Sequence, residues 1–219
     1  MDCSGVLHRT CIAVALVLSV AASGCIGPLI ASGIYFAQGG NVAPAEFDGL
    51  KDRRVVVLCR PPASYDFRHA GASRSIAGKV GRLIAQNVKG VDVVDQSEVD
   101  NWVDENGSAD ALDLGRAVNA EMVVHIELDE FSLFNGRTLY QGHSEANVSV
   151  YDMSEGQRLV WDSSFGEILY PRNSGIAVQD KSLQRFQREF VDIVAETIAV
   201  KFYKHDPHKL FALDALANR

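Results

Sequence analysis

Cysteine runs out early in this chain. Four are present, Cys3, Cys11, Cys25 and Cys59, and only Cys59 lies beyond residue 25. One thiol in the body excludes a disulfide framework and a cysteine zinc site. Cys59 closes the apolar run VVVLC, where a free cysteine behaves as a small buried hydrophobe. A nucleophilic role would need a neighbour that stabilises the thiolate. Arg60 is adjacent, but Pro61 and Pro62 follow and no helix start is near. Positive charge is also short. The formal net charge is −7, and taking away residues 1–24 removes one acid (Asp2) and one base (Arg9), which leaves it at −7. An acidic surface repels phosphate backbones, which argues against nucleic acid as a partner. No polybasic stripe is available to hold an anionic bilayer. A phosphate loop is missing as well: GKVGR (78–82) falls in a helical pattern, follows no strand and lacks the Walker spacing. Neither internal repeats nor low-complexity tracts occur.

What is present begins with an apolar amino terminus. His8 and Arg9 precede CIAVALVLSVAA (11–22), and Ser23, Gly24 and Cys25 follow. A weakly positive start, an apolar run and a small-residue ending are the parts of an export signal. The ending AASGC resembles the lipobox of bacterial lipoproteins, with Ala22 where Leu is usual. That resemblance implies cleavage after residue 24, diacylation of Cys25 and attachment to a membrane through lipid. Each buried methylene contributes about 0.8 kcal/mol, so two or three acyl chains anchor a protein essentially permanently. Ile26 stands where a retention Asp would hold some lipoproteins at the inner membrane, which favours the outer membrane facing the periplasm. A second reading stays open: residues 11–38 carry no charged side chain, and an uncleaved span needs roughly 20 residues. Gly24, Gly27 and Pro28 interrupt that run and favour two short segments.

Beyond the Gly- and Pro-containing stretch GGNVAPAEFDG (39–49) the pattern becomes regular. RRVVVLC (53–59) reads as a buried strand ended by Pro61 and Pro62. Ile76, Val80, Leu83, Ile84 and Val88 stand at helical spacing, with Ser73 or Ser75 as cap. VDVV (91–94) is a short strand. A helix opened by Asp95 or Ser97 and a second over 110–119 follow it. Strands are then predicted over 121–134, 138–153 and 158–170, with turns at Asn135-Gly136 and at 154–157. A two-residue Asn-Gly loop would set Val148 and Val150 on the face opposite Val124 and Ile126. The apolar phase also slips between Leu128 and Phe131. The spacing therefore predicts a bulge near Asp129-Glu130 or a three-residue loop. Leu183, Phe186, Phe190, Ile193, Val194, Thr197, Ile198 and Phe202 form the stripe of a long amphipathic helix over 181–204. The fold class is α+β: a single mixed sheet in the order β-α-β-α-α-β-β-β-α, covered by helices. The organisation read is a signal peptide (1–24), a lipidated cysteine with an apolar tether (25–49), one domain (50–204) and a tail (205–219).

Two places offer chemistry. His125, Glu127 and Asp129 share one predicted strand face, and His143 and Glu145 lie on the next strand. A half-exposed sheet needs such residues on its water side in any case, so no metal and no cofactor is assigned. In YDFRHAGASRS (65–75), Asp66, His69 and Ser73 lead into a helix whose amino end could hold an oxyanion. The second Gly of a nucleophile elbow is missing, so no catalytic residue is assigned. Tyr65 and Phe67, with Arg68, make this loop the better candidate for partner contact, since aromatics supply binding area at low entropic cost.

VDVVDQSEVDNWVDE (91–105), a strand, a polar turn and a helix with a late acid, resembles a segment of an envelope lipoprotein superfamily. That superfamily includes curli-secretion lipoproteins, lipoprotein activators of penicillin-binding proteins and the amino-terminal domains of TolB-like proteins. LGRAVNAEMVVHIELDEFSL (114–133) is similar to the following piece, where a short helix leads through Ala120 into a long strand. The resemblance implies a sandwich like the anticodon-binding fold and a non-catalytic role as a binding or scaffold module. Its partner would be another envelope protein. The alternative it implies is a subunit of an oligomeric secretion or transport assembly, with a homo-oligomer among its forms. His143, Glu145, Arg158 and Asp162 interrupt the apolar face that a barrel-forming hairpin would need.

Overall fold

β1 (Arg54–Arg60) forms where five consecutive residues, Val55 to Cys59, are apolar, and all five are buried. A run without alternation suits a strand covered on both faces. The computed structural model describes residues 42–61, 70–106, 110–154 and 156–208. Within them β1 pairs in parallel with β2 (Asp92–Val93) on one side and with β3 (Met122–Asn135) on the other. β3 continues antiparallel to β4 (Leu139–Asp152), and β4 to β5 (Arg158–Tyr170). The strand order is β2-β1-β3-β4-β5. A two-residue strand that the sequence pattern did not predict, β6 (Ile176–Ala177), pairs with the start of β4. The expected α+β class with one mixed sheet is the class observed.

Among the described residues, four α-helices cover this sheet. α1 (Ala70–Asn87) buries Ile76, Val80 and Ile84, the predicted stripe. Its cap is corrected: Ser73 and Ser75 lie inside the helix, and Ser75 Oγ donates to Gly71 O at 2.7 Å. α2 (Gln96–Asn106) opens at Asp95, whose carboxylate accepts from Ser97 N at 2.8 Å. α3 (Ala111–Ala117) is capped by Asp110, which accepts from Leu112 N and Asp113 N. α4 (Leu183–Ala199) runs on into a 3-10 turn, Val200–Phe202. A core of Val55, Val57, Val124 and Ile126 meets α1 and α4 on one sheet face. Val56, Leu58 and Val123 meet α2 and α3 on the other.

The hairpin contains both features the spacing offered as alternatives. Asn135 pairs with Leu139 across a three-residue loop, and β3 carries an extra residue between Leu128 and Glu130. A second irregularity, between Ser132 and Phe134, shifts the register back, so Val124 faces Val150 and Ile126 faces Val148. Past the bulge, Phe131 and Leu133 replace the even-numbered residues in the core. On β4 the residue facing Phe190 has to be Gly142. A Cβ there would lie 2.5 Å from the ring carbons. Phe186 stacks on Tyr140 at 5.1 Å, and Phe190 packs against Phe131 at 5.2 Å.

From Ala43 onward the residues read as tether pack on this body. Ala43 forms an antiparallel bridge with His205, and the Glu46 and Phe47 amides donate to Lys201 O. Phe47 lies between Trp161 and Phe202. No described helix is long and apolar enough to cross a membrane.

Candidate functional site

Cys25, the proposed lipid attachment point, lies outside the described residues. So do Tyr65, Phe67 and Arg68, and so do Asp66 and His69. Ser73 is described. It sits within α1 at 5% exposure, turned into the packing between α1 and the end of β1. Cys59 is buried nearby, and burial pushes its thiol well above the ordinary range. A buried thiol that resists ionisation is a packing residue, as the sequence reading held.

The set His125, Glu127, Asp129, His143 and Glu145 does not stay together. β3 is covered on both faces as far as Ile126, so His125 is 7% exposed, and its Nε2 has no hydrogen-bond partner. The predicted water-facing position is thereby corrected. Burial lowers the His125 pKa from the ordinary value; Glu127 opposes this, Arg60 assists it and Asp110 opposes it. The bulge after Leu128 sends Asp129 to Asn147, to whose side-chain amide it is hydrogen-bonded at 2.5 Å. Glu130 takes its place beside His143 and Glu145, and Glu167 joins them from β5. Periodicity could not place Glu130 and Glu167, because each follows an irregularity in the ladder.

A groove of about 650 Å³ lies between α1, α2 and α4. Among the described residues its lining sets Arg74, Lys79, Arg82 and Arg188 against two acids, Asp100 and Asp192. Arg74 donates to both carboxylate oxygens of Asp104, which raises the Arg74 pKa and lowers that of Asp104. Lys79 pairs with Asp192 at 2.7 Å. Arg82 and Arg188 have no carboxylate partner among the described residues. On a chain of net charge −7, a groove with two free guanidinium groups is a local reversal of sign. In the sequence, Arg74 and Ser75 follow Arg68 by six and seven residues. A second surface is apolar. Phe134, Leu139 and Val178 are exposed together at the β3–β4 hairpin tip.

No family model matches the sequence, and no curated protein does. Solved structures do. The chain is similar to PelC from Paraburkholderia phytofirmans, solved as a dodecamer, at 15% identity, over 74% of this chain and 99% of that one, with a TM-score of 0.46. It is similar to the lipoprotein GNA1162 from Neisseria meningitidis at 16% identity, over 67% and 97%, with a TM-score of 0.41. The third is the LpoB C-terminal domain from Salmonella enterica, at 14% identity, over 55% and 86%, with a TM-score of 0.34. Of these three solved structures, that of GNA1162 carries the name lipoprotein.

Proposed function

We propose that this is a non-catalytic, lipid-anchored protein of the bacterial cell envelope that works by binding another envelope protein. The anchor is Cys25, and the outer membrane facing the periplasm is its location. The groove between α1, α2 and α4 carries the reading. Arg82 and Arg188 stand there without carboxylate partners, beside Gln96, Gln184 and Gln187. Free guanidinium groups bind planar carboxylates through paired N–H donors, so the groove suits an acidic segment of the partner. Tyr65, Phe67 and Arg68, close to the groove residues in sequence, would extend the contact.

Two measurements on the full chain in a bacterial host test this. Feeding an alkyne fatty acid is expected to label the wild type and not Cys25→Ser, with the wild type in the outer-membrane fraction. An unlabelled wild type would overturn the anchor. A photo-reactive residue at position 184 is expected to give one discrete adduct, lost when Arg82 and Arg188 are both replaced by Glu. An adduct that survives the double replacement, with the fold unchanged, would remove the groove from the function.

A second reading, a subunit of an oligomeric assembly, is favoured by the edge of the sheet. Among the described residues β5 pairs with β4 alone, and Leu159 on it is 47% exposed. An unpaired edge invites another strand. Light scattering of the detergent-solubilised protein separates the two: a stable ring supports assembly, a monomer the binding module.

A further inference from the structure

Two smaller clefts open off the groove, between α1 and α2. One, of about 170 Å³, is lined by Leu58, Cys59, Ala77 and Val103, and shares Arg74, Gln96 and Asp100 with the groove. The other, of about 210 Å³, is lined by Val57, Gly81, Ala85, Val93 and Val94, and shares Gly78, Arg82 and Gln96 with it. Their floors are buried residues of β1, Leu58 and Cys59 in the first and Val57 in the second. The acids at their rims are already engaged, Asp95 by Ser97 and Asp100 by Gln96 and Arg74. Glycine hollows the second cleft. A Cβ on Gly81 would lie 3.3 Å from Val93 and 3.8 Å from Val57. One on Gly78 would lie 3.3 Å from Gln96 and 3.6 Å from the Arg82 guanidinium, so both side chains lie over the Gly78 backbone, between the clefts. Glycine inside a helix is destabilising relative to alanine, and here it leaves the space open.

The spacing of the clefts is regular. On α1 the first is lined by Ser73, Arg74 and Ala77, and the second by Gly81, Arg82 and Ala85, each eight positions from its counterpart. Eight residues of helix are about 12 Å, the rise of about four residues of an extended chain. Side chains four apart on such a chain point the same way. The polar lining fits a peptide as well. Gln96, Gln184 and Gln187 each carry a donor and an acceptor, which match the C=O and N–H of a backbone. Gln96 donates to Asp100 through Nε2 at 2.9 Å, which leaves its Oε1 as acceptor. Two short clefts on either side of Gln96 suit two separate side chains better than one long acyl chain, so a peptide is favoured over a lipid.

We infer, resting on the binding function proposed for the groove, that its occupant is an extended acidic segment with two aliphatic anchors four residues apart. The anchors fill the two clefts, and carboxylates between them reach Arg82 and Arg188, the two guanidinium groups without a carboxylate partner among the described residues. Paired N–H donors hold the carboxylates. The apolar anchors fix the register along α1 and discriminate against segments that are merely acidic.

The test uses the full-length protein in detergent and a labelled, blocked peptide, Gly-Leu-Glu-Ser-Glu-Leu-Gly, read by fluorescence anisotropy. The expected result is saturable binding at one site per chain, weakened at least about tenfold when serine replaces both leucines of the peptide. Replacing Arg82 and Arg188 together by Gln is expected to weaken it at least about tenfold too. Ala85 is exposed, so Ala85→Phe fills the second cleft from the surface and is expected to cost the leucine peptide about tenfold. Thermal melts identify any variant that has lost its fold, and the change from leucine to serine in the peptide then decides. Leucine and serine peptides bound equally, and both lost in the arginine variant, overturn the inference and leave the groove its binding function. Binding of neither peptide overturns it as well, and if position 184 also gives no adduct in cells the binding function falls with it. Dihexanoyl phosphatidylglycerol that displaces the peptide and binds more tightly overturns it in favour of a lipid.

Discussion

The two ends of the sheet are built on different rules. At the parallel end, β2, β1 and the first half of β3 lie between helices on both faces, and the strands are apolar without alternation. At the antiparallel end only one face is packed, against α4, while the other carries His143 and its glutamates. A substitution should therefore cost much the same on either face at the first end, and very different amounts on the two faces at the second. The largest test is Phe190→Ala against Glu145→Gln, on opposite faces of the antiparallel end. Phe190 is fully buried against Phe131. Its truncation is expected to cost about 3–5 kcal/mol in urea unfolding, by lost transfer energy and an unfilled cavity. Glu145→Gln, on the solvent side, is expected to stay within about 0.5 kcal/mol. Comparable costs would mean that the polar face is covered as well.

Glycine makes a sharper version. Gly142 and Gly166 both lie in antiparallel strands, and neither has a positive φ. A Cβ at 142 would sit 2.5 Å from the Phe190 ring, while one at 166 would meet nothing within 4 Å. Gly142→Ala is therefore expected to cost about 1–3 kcal/mol by overpacking. Gly166→Ala should be neutral or stabilise by about 0.5–1 kcal/mol through the unfolded chain. Equal effects would show that α4 yields to the added methyl, and that its contact with β4 is looser than the close approach implies.

The same division explains what could be read from the sequence. α1 and α4 were legible because one face of each is solvated, so Ile76, Val80 and Ile84, or Phe186, Phe190 and Val194, stand out at helical spacing. The hairpin was legible as a conflict, since Val148 and Val150 could not share a face with Val124 and Ile126 without an odd loop. What alternation could not show is which residues a second layer covers. His125 alternates with Val124 and Ile126 as a water-facing residue would, yet it lies with Val123 on the face that α2 and α3 cover. Nor could spacing along one strand find Glu130 and Glu167, whose positions depend on bulges formed against β4. The fold was thus largely readable, while the carboxylate cluster around His143 came from tertiary pairing. Two of its members, His143 and Glu145, were visible only as neighbours on one strand.

His125 allows the smallest effect and the most specific one, because it probes the covered end through protons. Burial holds its folded pKa below the ordinary 6.5, with Glu127, Arg60 and Asp110 nearby in charge. As pH falls through that ordinary value the unfolded chain takes up a proton that the folded chain does not. The unfolded state then binds more protons, so stability falls with pH below about 6.5, by at most about 1.4 kcal/mol per pH unit from this one residue. His125→Leu removes the titrating group and the unpartnered Nε2 together. At pH 7.5 the variant is expected to lie within about 1 kcal/mol of the wild type or above it, because replacing an unsatisfied polar group by an apolar one of similar size is near neutral. Between pH 7.5 and 5.5 its urea midpoint is expected to fall less than that of the wild type. Parallel loss of stability in the two would mean that water reaches His125, and that the parallel end is open on the face where α2 and α3 are packed.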